Sequence, residues 1–107
     1  GEGGTALQGK TLVHAISAGG SEEVYCSQGR NRYTIRQLLA PFDQTAFLCG
    51  MRYLAPHVIH GANQLADASS IQSHAQRYAR LLTALRDETL PLDAALEAHK
   101  INDLIPA

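Results

Sequence analysis

The sequence predicts an α/β domain built on parallel strands, and three features carry that expectation. Thr11 to Ser17 is almost continuously apolar and stops at Ala18-Gly19-Gly20. A second short run, His57 to His60, is introduced by Pro56 and closed by Gly61. Stretches with helical spacing follow each run, and strands alternating with helices are the pattern of crossover-linked parallel sheets.

In chain order, Gly1 to Gly9 is a glycine-rich coil that leads into the first strand. Because Leu12, Val13, Ala15 and Ile16 leave no polar face, that strand is expected to be covered on both sides, as central parallel strands are. The paired glycines end it, and the polar stretch Ser21 to Arg32 reads as a loop. Thr34-Ile-Arg-Gln37 has the form of a capping box, in which a hydroxyl and an amide satisfy free backbone N–H groups, so a helix is expected to start at Thr34. Its apolar face reads Ile35, Leu38, Leu39, Phe42, Ala46 and Cys49. Pro41 is expected to remove one hydrogen bond and kink the helix, which ends at Gly50.

After the second strand, Ile71, Ala75, Tyr78, Leu82 and Leu85 recur at steps of four and three on one helical face, with Arg77, Arg80 and Arg86 on the wetter side. Asp67, Ser69 and Ser70 compete as N-cap. The tail from Thr89 to Ala107 carries Leu90, Leu92, Leu96, Ile101, Leu104 and Ile105, and is expected to pack on the body or on a partner. The chain thus divides into a body, residues 1–88, and a tail, residues 89–107. Two strands alone make a marginal sheet. We therefore read the chain as the C-terminal part of a larger doubly wound parallel sheet whose N-terminal strands are missing from it, and the start at Gly1 without Met agrees.

Composition excludes several functions. Nine Lys plus Arg against ten Asp plus Glu, interspersed, give a net charge of -1 over 107 residues, so no phosphate-neutralising patch for nucleic acid is expected. No apolar run approaches the roughly 20 residues that span a bilayer, and no secretory signal pattern is present. Cys26 and Cys49 form no metal or redox motif, so both read as small hydrophobes in a reducing, cytoplasmic setting. Gly4 to Thr11 matches the phosphate-loop pattern G-x-x-x-x-G-K-[ST] letter for letter. That chemistry requires a strand before the first Gly and a helix after the Lys, whereas a strand pattern follows Lys10, so nucleotide triphosphate binding is rejected.

The candidate site is the strand end, Ser17, Ala18, Gly19 and Gly20, with Tyr25 in the loop beyond. Ligands of open α/β sheets settle outside the carboxyl ends of the strands. Glycines there let main-chain N–H groups approach a flat ring and stabilise charge on an electron-rich oxygen, although a purely structural turn has the same spacing. Tyr25 adds a phenolic hydroxyl. His57 and His60, three apart, fall on opposite faces of a strand and make no metal site. His14 reads as a hydrogen-bonded core histidine. His74 and His99 read as solvent-facing.

Gly3-Gly4-Thr-Ala-Leu-Gln-Gly9-Lys10, the strand end Ser17-Ala-Gly-Gly20, and Gln37 to Gly50 with its Phe-Leu-Cys-Gly ending together resemble flavodoxin-like NAD(P)H quinone oxidoreductases. The nearest likeness is to the ancillary oxidoreductases of bacterial glutathione-regulated potassium-efflux systems. The resemblance covers most of residues 1–87. It implies a flavodoxin-like fold, FMN or FAD as cofactor, NAD(P)H as substrate and hydride transfer through the flavin to a quinone-like acceptor. It also implies a homodimer and a cytoplasmic protein placed peripherally at the inner membrane face, where it activates a potassium-efflux transporter. Carried over by position, Ser17, Ala18, Gly19 and Gly20 form the loop against the flavin pyrimidine, and Tyr25 is the catalytic tyrosine near it. The position that carries a histidine in the animal quinone reductases is Asn31 here. A competing expectation is a non-catalytic regulatory module that docks on the transporter.

Overall fold

The structure is a computed structural model that describes residues 3–65 and 67–106. Two parallel lines of chain pair as two successive two-stranded sheets. The first line holds β1 (Thr11–Leu12) and β2 (Ala15–Ser17), and the second holds β3 (Arg52–Tyr53) and β4 (His57–Ile59). β1 pairs with β3 and β2 with β4, both parallel. Thr11 faces Arg52, but Ala15 faces His57. The second line therefore carries one more residue than the first between the paired segments, a bulge at Leu54 to Pro56. Pro56 has no N–H to give a ladder, which suits it to that interruption.

Helices connect and flank the lines. α1 (Ile35–Leu38) starts with the expected capping box: the Gln37 N–H donates to Thr34 Oγ1 at 3.1 Å and the Thr34 N–H to Gln37 Oε1 at 2.8 Å. α2 (Ala40–Leu48) follows after a break at Leu39. Pro41 lies in the first turn of α2, where its missing N–H has no helical partner in any case. The expected kink is thus a clean restart one step earlier. α3 (Ala68–Arg86) is capped by Asp67, whose Oδ1 accepts from the Ser70 N–H at 2.8 Å. α4 (Leu92–Glu97) lies in the tail, where the sequence reading placed no helix.

The core lies between the second strand line, the C-terminal half of α3 and the tail: Leu54, Ala55, Leu81, Ala95 and Ile101 are buried together. Two expectations are corrected here. The first strand line is broken at Val13-His14 and is only half-covered, whereas Tyr53 to Val58 are all buried. The more central line is therefore the second, because the tail covers its outer side. On α3 the inward positions are Leu81 and Ala84, while Ile71, Tyr78 and Leu82 of the expected face are 56%, 39% and 49% exposed. The helix is amphipathic as read, but the chain buries only the part of it that meets the tail.

The tail is stitched on through main-chain groups. Ala55 N–H donates to the Ala95 carbonyl and Ile101 N–H to the Pro56 carbonyl, each at 2.8 Å. The Asn102 side chain accepts from the Val58 N–H at 2.9 Å and donates to the Val58 carbonyl at 2.8 Å, which takes the place of a neighbouring strand.

Candidate functional site

Because the strand lines are parallel, β2 and β4 end on the same side, and the loops that leave them meet. Ala18 N–H donates to the Ile59 carbonyl at 2.8 Å, and the Ala18 carbonyl accepts from the Ala62 N–H at 3.0 Å. The Gly20 carbonyl accepts from the Gly61 N–H at 3.1 Å, in a turn where Gly61 sits at φ 64°, a conformation that favours glycine. Ala18 is thereby fixed into the sheet end. Among the described residues, the N–H groups of Gly19 and Gly20 have no acceptor. Two adjacent main-chain donors thus stand open at the carboxyl end of a parallel pair.

Neither glycine is needed for φ, since neither has a positive φ, and the demand for space is firmer at Gly20 than at Gly19. A Cβ at Gly20 would stand 2.8 Å from Val24 Cγ2 and 3.3 Å from Tyr25 Cε2, and one at Gly19 would stand 2.8 Å from Asn63 Nδ2. The clearance at Gly20 is taken by the protein's own loop. A 3-10 turn, Glu22–Val24, carries that loop and sets Tyr25 beside it through a Tyr25 N–H to Glu22 carbonyl bond at 3.1 Å.

His60, the residue after β4, lies beside Tyr25 and Gly20 of the expected site, which otherwise comprises Ser17, Ala18 and Gly19. Its ring centroid is 5.5 Å from that of Tyr25, and its Nδ1 is 3.3 Å from the Gly20 carbonyl. A signal for it was present: in a parallel pair the residue after the second strand must lie beside the loop after the first. Tyr25 and His60 line a cavity of about 240 Å³, bounded on its far side by Thr34 to Arg36 and by His99 and Lys100 of the tail. Ser17 lies outside this hollow. It lines a second, more apolar cavity of about 390 Å³ with His57, Ile59, Ile71 and Tyr78. Ser17 and Tyr25 therefore line different cavities, and Ala18, Gly19 and Gly20 line neither of the two.

The remaining histidines have distinct surroundings. His14 Nδ1 is 3.0 Å from the Tyr53 hydroxyl, and its ring meets Phe42 edge-on at 4.8 Å. Burial pushes the Tyr53 phenol above its usual range. His57 is buried, its Nε2 has no partner, and burial, reinforced by Arg77 and His74, holds its imidazole below the usual value. His74 is half-buried against the second cavity, in place of the expected solvent-facing position. Among the described residues no group of three or more His, Cys, Asp or Glu side chains converges as a metal site would require. Thr11 opens a strand and the Gly9 N–H is bonded to the Gly50 carbonyl, so the Gly4 to Thr11 stretch offers no phosphate cradle. Among the described residues no helix is long and apolar enough to cross a membrane.

Residues 1–82 match a protein family described as having a flavodoxin-like fold. General stress protein 14 of Bacillus subtilis is 44% identical over 82 residues, which are 77% of this chain and 46% of that protein. The glutathione-regulated potassium-efflux system ancillary protein KefG of Pectobacterium atrosepticum is 36% identical over 84 residues, 78% of this chain and 45% of its own. A crystal structure described as a thermophilic tryptophan halogenase from Streptomycin violaceusniger superposes with a TM-score of 0.65 at 42% identity, over 72% of this chain and 44% of that one. The chain spans about half the length of the curated relatives it matches.

Proposed function

This chain belongs to the family with the flavodoxin-like fold, and on that premise we propose that it is part of a flavin-dependent NAD(P)H:quinone oxidoreductase-like protein that serves a potassium-efflux transporter. The observation that carries the reading is the pair of open N–H groups on Gly19 and Gly20 at the carboxyl end of the parallel pair, with Tyr25 and His60 alongside. Their chemistry suits the oxygen-bearing edge of a flavin pyrimidine, where charge accumulates on reduction. A bound flavin, FMN or FAD, supplies hydride acceptance from NAD(P)H. The chain's own part is to orient that edge with two main-chain donors and to hold a phenol and an imidazole in one wall, from which a proton is delivered to a quinone-like acceptor. Only the ring end is served here. The Gly4 to Lys10 turn lies at the amino end of the same strand line, roughly 20 Å away at about 3.3 Å per residue.

Titration of FMN into the 107-residue chain tests this, with quenching of flavin emission expected. A spectrum identical to free FMN at saturating protein removes the reading. The transporter role, which the names of the matched ancillary proteins support, belongs to the same proposal, as do a homodimer and a peripheral position at the cytoplasmic membrane face. A purely docking role has its own support in α2, where Phe47 and Leu48 are 74% and 73% exposed. Co-purification with the transporter that survives Tyr25→Phe but is lost on Phe47→Ser with Leu48→Ser selects the docking role.

A further inference from the structure

The cavity beside Tyr25 has one wall from the matched family region and one from outside it. The family match ends at residue 82, whereas His99 and Lys100 belong to the tail. Arg36 holds that tail in place: its Nη1 donates to the Leu96 carbonyl at 2.9 Å and to the Ala98 carbonyl at 2.7 Å. Both bonds fix the backbone just before His99. The Lys100 ammonium is then 2.9 and 3.0 Å from the two carboxylate oxygens of Glu22. The Lys100 side chain is 22% exposed and that of Glu22 is 58%, so the cation sits in the wall and its partner in solvent.

Two cations, Arg36 and Lys100, stand against one carboxylate in a hollow that the Tyr25 ring, Ile35 and Val58 line together with the imidazoles of His60 and His99, the Cys26 thiol and Thr34. Arg36 is committed to carbonyls, which leaves Lys100 as the cation free to change partners. A solvent-exposed ion pair contributes little, so exchanging Glu22 for an incoming anion costs little. At about 240 Å³ the cavity is below the roughly 300 Å³ at which drug-sized sites begin, so its occupant is small. Ring faces and aliphatic side chains suit a flat apolar body.

We propose that Lys100 is a specificity-determining residue of this cavity, and that it selects small flat rings carrying a negative charge, such as ionised hydroxyquinones, over neutral rings of the same shape. The inference rests on the reading above for the redox role of the occupant, while the charge selection is measured without flavin.

The test compares 2-hydroxy-3-methyl-1,4-naphthoquinone, ionised at neutral pH, with neutral 2,3-dimethyl-1,4-naphthoquinone, which has no free ring position for the Cys26 thiol to attack. Calorimetric dissociation constants are measured on the 107-residue chain, Lys100→Gln, Lys100→Arg and Glu22→Gln. The anionic quinone is expected to bind about five- to tenfold more tightly than the neutral one. Lys100→Gln brings the two together, Lys100→Arg keeps the preference, and Glu22→Gln, which frees the ammonium, increases it. An unchanged preference in Lys100→Gln, or no binding of either quinone by the unsubstituted chain, overturns the proposal. Glu22→Gln keeps the proposal exposed if Lys100→Gln fails to fold, since an unaltered or lower preference there overturns it as well. FMN titration of the same samples separates the two readings. Charge selection without FMN binding removes the oxidoreductase reading alone, and FMN binding without charge selection removes this one alone.

Discussion

Adjacent glycines in this site make different demands on a side chain, and that difference separates packing from ligand contact. An alanine at Gly20 meets both a Val24 methyl and the edge of the Tyr25 ring, whereas at Gly19 it meets only the end of the flexible Asn63 side chain. Gly20→Ala is therefore expected to lose about 1–2 kcal/mol in urea unfolding through overpacking, while Gly19→Ala stays within about 0.5 kcal/mol. If an aromatic ring approaches the open N–H groups, both substitutions weaken FMN binding. A Gly19→Ala protein of full stability that binds FMN as before removes Gly19 from the site. His57 provides a residue-scale test by pH. Its folded value is held below the ordinary ~6.5, so between the two values the unfolded chain binds the proton better and the fold is penalised. Stability on its account is complete above about pH 6.5 and falls as pH drops through the window beneath. His57→Leu also removes the unpartnered Nε2, and it is expected to flatten the dependence of the unfolding midpoint between about pH 7 and pH 5. A wild-type slope retained in that variant assigns the loss to other groups.

Local chemistry was most legible at the element scale, and packing direction least. Thr34-Ile-Arg-Gln37 could be read directly because a capping box uses only near neighbours, and both of its bonds are present. Thr34→Ala is expected to cost about 1 kcal/mol, read as a fall in urea midpoint with unchanged slope. No shift would mean that the α1 start is held by tertiary contacts alone. The end of the strand line at Gly19 and Gly20 was legible for the same reason. The inward face of α3 was not. Periodicity selects a stripe from Ile71 to Leu85, but the part that is buried depends on where the tail lies, and burial is confined to Leu81 and Ala84, with Leu85 packed against the same core. β3 escaped because Arg52-Tyr53 is too short to show alternation, and its existence depends on Thr11 and Leu12, 41 residues away. His60 was set aside for a related reason: its neighbour Tyr25 is fixed by parallel pairing, which single-strand spacing does not contain. The nearness of the glycine pair to Tyr25 was thus legible, whereas the walls that a second loop and the tail supply to the neighbouring cavity were not.

Over the whole molecule, the radius of gyration is 15.2 Å against about 13 Å for a compact domain of this length, with extents of 48 × 34 × 21 Å. The two strand lines meet through their parallel pairing, and the tail supplies a further long-range join. Asn102 bonds both peptide groups of Val58, its carbonyl accepts from Arg77 Nη2 of α3 at 3.3 Å, and Arg36 of α1 binds the carbonyls just before His99. Sheet edge, α3 and α1 are therefore joined through one short segment, and cooperativity of the fold should depend on it. Asn102→Ala leaves a buried N–H and a buried carbonyl of Val58 unpaired, at about 1–3 kcal/mol for each group. A total of about 2–6 kcal/mol is expected, measured as a lower urea midpoint together with faster hydrogen exchange at the Val58 amide. Asn102→Asp retains the acceptor for the Val58 N–H but sets a carboxylate against the Val58 carbonyl in a buried place, so exchange at that amide stays slow while stability still falls. An Asn102→Ala protein with the wild-type midpoint and a protected Val58 amide would show that main-chain bonds at Ala55 and Pro56 hold the tail unaided, and that the edge of the sheet is closed without Asn102.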